Sequence, residues 1–179
     1  MSPSFRKVVL AVHLTLAVGW IGALAAYLSL DIATAISRDA QTLRAAYIGM
    51  DVIVRYVIVP FALATLLTGL IMSLGTTWGL FRHYWVLISF LLTTAAIGIL
   101  LTDPLPKISS FAQMALDPTT SVDKLRASGS TLFHSIGGGV VLLVILVINV
   151  FKPQGMTRYG RRMQREERTR RERQLGIPR

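Results

Sequence analysis

The sequence predicts an all-α membrane protein: a four-helix bundle with a short cytoplasmic hairpin turn, a longer external third loop and a basic C-terminal tail. Three observations carry this. Four apolar runs, Val8–Leu30, Tyr56–Leu74, Tyr84–Thr102 and Thr131–Phe151, contain no Asp, Glu, Lys or Arg. Each reaches the roughly 20 residues that cross a bilayer core at about 1.5 Å rise per residue. The chain is 53% hydrophobic and only 16% charged, with a mean hydropathy of +0.56, far from soluble composition.

The third observation is how the charge sorts. Four spans put both termini on one face. That face collects Arg6, Lys7, Arg82 and everything from Lys152 to Arg179, 13 basic residues against three acids. On the other face Arg38, Arg44, Arg55, Lys107, Lys124 and Arg126 are cancelled by Asp31, Asp39, Asp51, Asp103, Asp117 and Asp123. Lys and Arg stay on the cytoplasmic side, so both termini are expected there. The expected division is a four-span domain over 1–152, with helices at about 8–30, 50–74, 83–102 and 128–151, and a tail over 153–179.

The first span competes with a signal peptide, since Arg6-Lys7 precede an apolar stretch and Ala23-Leu24-Ala25 is a small-x-small pattern. Its apolar run is 23 residues long, whereas a signal core has about 7–15, so a retained helix is expected. A polar connection, Asp31 to Arg44, follows, with Ser37-Arg38-Asp39 as its turn. The second span should start ahead of its apolar run, because Asp51 and Arg55 have the spacing of a helical ion pair with the acid N-terminal. Pro60 is read as lying early in that helix, where a missing amide donor costs least, with a kink as the alternative.

Gly75-Thr76-Thr77-Trp78-Gly79 is long enough only to reverse the chain, making spans two and three an antiparallel hairpin. Trp78, Phe81, Tyr84 and Trp85 crowd that turn as an interfacial aromatic belt. Pro104 and Pro106 stop the third span. Leu105, Ile108, Phe111 and Met114 recur every three residues, predicting a short amphipathic helix on the outer surface. Ser121 followed by Asp123 marks a helix start, so the fourth helix is expected to begin outside the membrane and to enter it with Gly129 as a weak point. The tail carries nine arginines and little apolar surface, so it forms no core and is either disordered or a surface helix. Anionic lipid headgroups are its expected partner, and no nucleic acid is expected, because Tyr159 is its sole aromatic residue.

Absences narrow the function. Without cysteine there is no disulfide framework, thiolate metal site or thiol redox chemistry. Ion-driven transport needs a charge inside the bilayer, and the four runs hold none. No phosphate loop or dinucleotide fingerprint occurs.

The remaining candidates are histidines. His13, Trp20 and Tyr27 lie seven apart on one stripe of the first span, beside small residues Gly19, Gly22, Ala23 and Ala26 that favour close helix contact. His134 precedes Gly137-Gly138-Gly139, which either admit a neighbouring helix or leave room for a flat macrocycle. His13 lies about 9 Å, and His134 about 27 Å, from the tail-side edge by helical rise. One metal cannot take both, because metal–nitrogen bonds are about 2 Å long. His13 with His83 or Met72 is the admissible pairing, suited to ligating haem b within four helices. His134, Gly137 and Gly138 outline a second candidate pocket. Asn149 is expected to hydrogen-bond across the bundle.

Ser73-Leu74-Gly75-Thr76-Thr77-Trp78-Gly79-Leu80-Phe81-Arg82-His83-Tyr84-Trp85-Val86 and Lys152-Pro153-Gln154-Gly155-Met156-Thr157-Arg158-Tyr159-Gly160 resemble signature stretches of an uncharacterised bacterial family of small predicted integral membrane proteins. That resemblance spans most of the chain and implies four helices in the plasma membrane without supplying an activity. The first span, with its histidine and Trp20-Ile21-Gly22, is also similar to copper-resistance D-type membrane proteins, though no copper ligands are carried over. The functional expectation is a non-catalytic accessory or interaction protein, as a homo-oligomer or a subunit of a larger complex. The alternative is a haem-binding redox protein using His13 with His83 or Met72.

Overall fold

A computed structural model describes residues 2–75, 79–127, 129–153 and 155–175. The chain is nearly all helical, with no strand among the described residues. Four helical stretches are long and apolar enough to cross a membrane: Pro3–Ile36, Ala40–Gly75, Tyr84–Leu116 and Leu132–Phe151.

Helix α1 (Pro3–Ile36) starts with Pro3 in its first turn and Ser2 as cap. Its 34 residues extend about 51 Å at helical rise, well past a hydrocarbon core of about 30 Å. The expected polar connection from Asp31 to Arg44 shrinks to Ser37–Asp39, the turn residues alone. Asp31 does not end the helix: hydroxyl groups, rather than water, bond one of its oxygens. Asp39 then caps α2 (Ala40–Ile53), its Oδ2 accepting from the Thr42 hydroxyl and the Thr42 amide at 2.7 Å each. Those donors hold the Asp39 carboxyl below the usual aspartate range.

The second span thus begins ten residues ahead of the expected position 50. It passes through a π-helical turn, Val54–Ile58, into α3 (Val59–Gly75). Pro60 is consequently mid-helix rather than early. Its ring crowds the carbonyl four residues back and it offers no amide hydrogen; the widened turn just before it accommodates both. Arg55 Nε donates to Asp51 at 2.8 Å as the spacing predicted.

Helix α4 (Tyr84–Thr102) gives way at Asp103 to α5 (Pro104–Leu116). The apolar stripe of α5 is covered by protein. Ile108 and Phe111 are buried against α2, where Leu43, Tyr47 and Met50 form the opposing face, and Tyr47 meets Phe111 edge-on at 5.4 Å. An amphipathic stripe wants an apolar neighbour, and the early start of α2 supplies one. Arg44 fixes the far end of α5 by donating to the carbonyls of Ala115 (2.7 Å), Asp117 (2.9 Å) and Thr120. Asp117 accepts from the Thr119 hydroxyl and amide and from the Thr120 hydroxyl, which lower its carboxyl pKa.

Ser121 Oγ accepts from the Lys124 amide at the start of α6 (Val122–Ala127). Gly129 adopts φ +103°, which only glycine takes easily. Helix α7 (Leu132–Phe151) therefore starts four residues after the expected 128. It ends at left-handed Lys152. After it the basic segment folds as α8 (Arg158–Gln174), the helical member of the two expected alternatives.

α1 packs on α3 and α7, and α4 packs on the same two, closing a ring. α2, α5 and α6 cover one end of it, the cap end. Ser2, the end of α3, the start of α4 and α8 lie at the other, the tail end.

Candidate functional site

The cap half of the ring is not filled. A cavity of about 280 Å³ lies between α1, the π-helical turn, α4 and α7, near the lower limit of ligand clefts, about 300–1,000 Å³. Trp20 and Leu24 of α1, Ile58, and Ala96 and Leu100 of α4 form apolar walls. On α7, Gly137 and Gly138 supply an open side. A side chain at Gly137 would meet no heavy atom within 4 Å, and one at Gly138 would only graze Leu24. These glycines border space instead of a tightly opposed helix.

One wall of the cavity is polar. Tyr27, Thr131 and Ser135 line it, and behind them stands Asp31, with no solvent exposure. Asp31 Oδ2 accepts from Ser135 Oγ at 2.7 Å and from Thr131 Oγ1 at 2.9 Å. Tyr27 Oη lies 3.0 Å from Thr131 Oγ1. A hydroxyl has a single proton, so with Thr131 donating to Asp31, Tyr27 donates to Thr131. Asp31 Oδ1 is fully buried without a partner. Buried polar atoms are rarely left so.

The mouth carries a second polar pair. His134 Nε2 is 2.8 Å from Asp103 Oδ2, and Lys107 Nζ is 2.8 Å from Asp103 Oδ1. Phe133 beside it is 84% exposed. Asp103 therefore binds the head of α7 to the α4–α5 junction.

His134, Gly137 and Gly138 all stand on this cavity. The other candidates lie at the tail end. His13 Nδ1 is 2.9 Å from Thr68 Oγ1 of α3, and its ring passes close to Gly69. Met72 follows Thr68 by four residues, on the same face of α3. His83 is the residue before α4, its backbone bridged to Met156. The structure thus brings the neighbourhood of Met72 to His13, and places His83 with the root of the tail. Trp20 and Tyr27 are buried; of the small stripe, Gly19 comes against the ring of Phe61, whereas Gly22 has no neighbour within 4 Å of an added side chain and Ala26 is exposed, so the close contact is limited to one end of the stripe. Asn149 Nδ2 crosses to Ser89 Oγ at 3.1 Å. Trp78 of the aromatic belt lies outside the described residues.

The tail is clamped where it leaves α7. The Tyr84 amide donates to the Gly155 carbonyl and the Thr157 amide to the Arg82 carbonyl, at 3.2 and 3.0 Å. Thr157 Oγ1 donates to the Phe81 carbonyl, and Arg82 pairs with Glu167. Gly160 sits directly under the Arg82 carbonyl, where any side chain would collide with backbone.

The sequence reading missed Asp31, which it placed in a solvated connection. The signal was present: Asp31 is four residues beyond Tyr27, continuing the stripe of His13 and Trp20. Thr131, Ser135 and Asp103 carried no comparable pattern. Compared with models of protein families, with curated proteins and with solved structures, the chain matches none.

Proposed function

We propose that this protein is a non-catalytic accessory protein of the bacterial plasma membrane, acting as a homo-oligomer or as a subunit of a larger membrane complex. In this reading the four spans form a bundle with both termini cytoplasmic. The α3–α4 connection is the short cytoplasmic hairpin, and α5 and α6 occupy the longer external third loop. Outward side chains such as Val18, Leu67, Leu143 and Val150 are more than half exposed, as lipid contact requires.

The observation that carries the reading is the clamped basic helix. α8 holds eight arginines and three glutamates. Glu166 and Glu172 are occupied by Arg162 and Arg168 within the helix, and Glu167 by Arg82. Arg158, Arg161 and Arg165, spaced three and four apart, line one hollow surface with Arg162. Positive charge at a fixed position against the span ends suits an anionic leaflet, at about 1 kcal/mol per basic residue. A partner docked on that leaflet would meet the same face.

The cysteine-free chain permits a single probe, attached at Thr169→Cys, in full-length protein reconstituted into nanodiscs. Probe mobility is expected to fall in phosphatidylglycerol bilayers relative to phosphatidylcholine and to recover in high salt. Equal mobility in both lipids would remove the basis for the reading. The haem alternative has the proximity of His13 to the Met72 face in its favour. A Soret band in purified protein that disappears in His13→Ala would replace the accessory reading with a redox one.

A further inference from the structure

We propose that the cap-end cavity binds a small lipophilic cation, a quaternary or protonated amine on a compact apolar body, with Asp31 as its buried counter-charge. The walls fix the body of the ligand. Trp20, Leu24, Ile58 and Leu100 offer it only hydrocarbon and aromatic surface. The direction of the hydroxyl protons fixes its head. Thr131 and Ser135 both donate to Asp31 Oδ2, and Tyr27 donates to Thr131. Two protons go to the carboxylate and the third, from Tyr27, goes to Thr131 Oγ1, so the Tyr27 and Ser135 oxygens on the cavity wall keep lone pairs to accept with. Such a wall accepts hydrogen bonds and favours positive charge; it repels an anion.

Two further features agree. Among the described residues, no Lys, Arg or His forms an ion pair with Asp31, so its charge has no protein cation, and Oδ1 has no donor at all. Low dielectric lets a charge behind one hydroxyl layer act strongly on a cation in front of it. Trp20, Tyr27 and Phe133 line the walls, and aromatic side chains are the kind that hold quaternary ammonium groups.

The decisive comparison is between benzyltrimethylammonium and its uncharged carbon isostere, neopentylbenzene, titrated into full-length protein in detergent micelles, with protein-free micelles as blank. The cation is expected to bind at least tenfold more tightly. Equal binding would reduce the cavity to a greasy void, and absence of cation binding would overturn the proposal. Asp31→Asn keeps the side-chain shape and should abolish the preference while the isostere binds as before; a preference that persists would dismiss Asp31 as the counter-charge. Gly137→Leu fills open space without touching the carboxylate and should abolish binding of both probes, so the proposal stays testable even if Asp31→Asn fails to fold. Undiminished cation binding in Gly137→Leu would place the site elsewhere. Displacement of the probe by dihexanoyl phosphatidylethanolamine assigns the natural ammonium to a lipid headgroup, and its failure to displace assigns it to a free amine; both outcomes keep the cation site.

Discussion

The two ends of the helical ring are held by opposite means. At the cap end, side chains about a hundred residues apart converge on one carboxylate out of reach of water: Asp31 with Thr131 and Ser135, Tyr27 with Thr131. At the tail end, backbone groups of Arg82, Tyr84, Gly155 and Thr157 bond to one another, and the ion pair that joins them, Arg82 with Glu167, is open to solvent. Buried polar groups cost the whole of their desolvation when a partner is removed, whereas exposed pairs lose little. The cap end should therefore determine whether the protein folds, and the tail end where its basic helix points.

Perturbing each end in turn tests that division. The largest loss is expected from the double variant Thr131→Val, Ser135→Ala, which strips Asp31 of both donors. About 2–6 kcal/mol of stability should disappear, read as a lower unfolding midpoint in mixed micelles. A change within error would show that Asp31 is hydrated and that the two ends do not differ. Next is Arg44→Met, which keeps the side-chain stem but removes three charge-assisted bonds to the ends of α5 and α6. About 1.5–3 kcal/mol is expected, with faster proteolysis between Leu116 and Ser121.

Acid probes the cap surface through two of its carboxylates. Asp39 and Asp117 have carboxyl groups lowered by their threonine donors. The stability they contribute is complete above the unfolded aspartate value, about 3.9, and is lost as pH falls through their lower folded values. Thr42→Val and Thr119→Val should flatten that acid limb of a stability–pH curve, and an unchanged limb would refute the assignment. The smallest effect belongs to Arg82→Ala, about 0–1 kcal/mol and weaker in salt. Gly160→Val, in contrast, should detach α8 from Arg82 and raise the mobility of a probe at Thr169→Cys while leaving the unfolding midpoint of the spans within about 1 kcal/mol.

The four spans were legible because hydrocarbon imposes one requirement on every residue of a run, and the Asp51–Arg55 spacing and Asn149 carried local rules of their own. The boundaries were less so. A charged residue was read as an exit from the apolar phase, yet Asp31 stays buried with hydroxyl donors a hundred residues away on one of its oxygens, and no local pattern announces them. The same long-range dependence hid the fate of α5. Its stripe was visible, but whether lipid or α2 would cover it depended on where α2 began, and that was set by Asp39 acting as a cap. Of the candidate pocket, the glycines of α7 were conspicuous by composition, while the hydroxyl wall required Thr131 and Ser135 to be seen beside Asp31.

The π-helical turn at Val54–Ile58 has a consequence for the history of the second span. Such a turn is one residue more than regular winding would use, so the segment behaves as an ordinary helix with a single insertion. Removing one residue there would rewind the turn and rotate everything before it by about 100° relative to α3. Leu43, Tyr47 and Met50 would then swing away from α5 together. Gain or loss of one codon would thus switch which partner this half-helix embraces, with no change to the hydrophobic content that makes it a span.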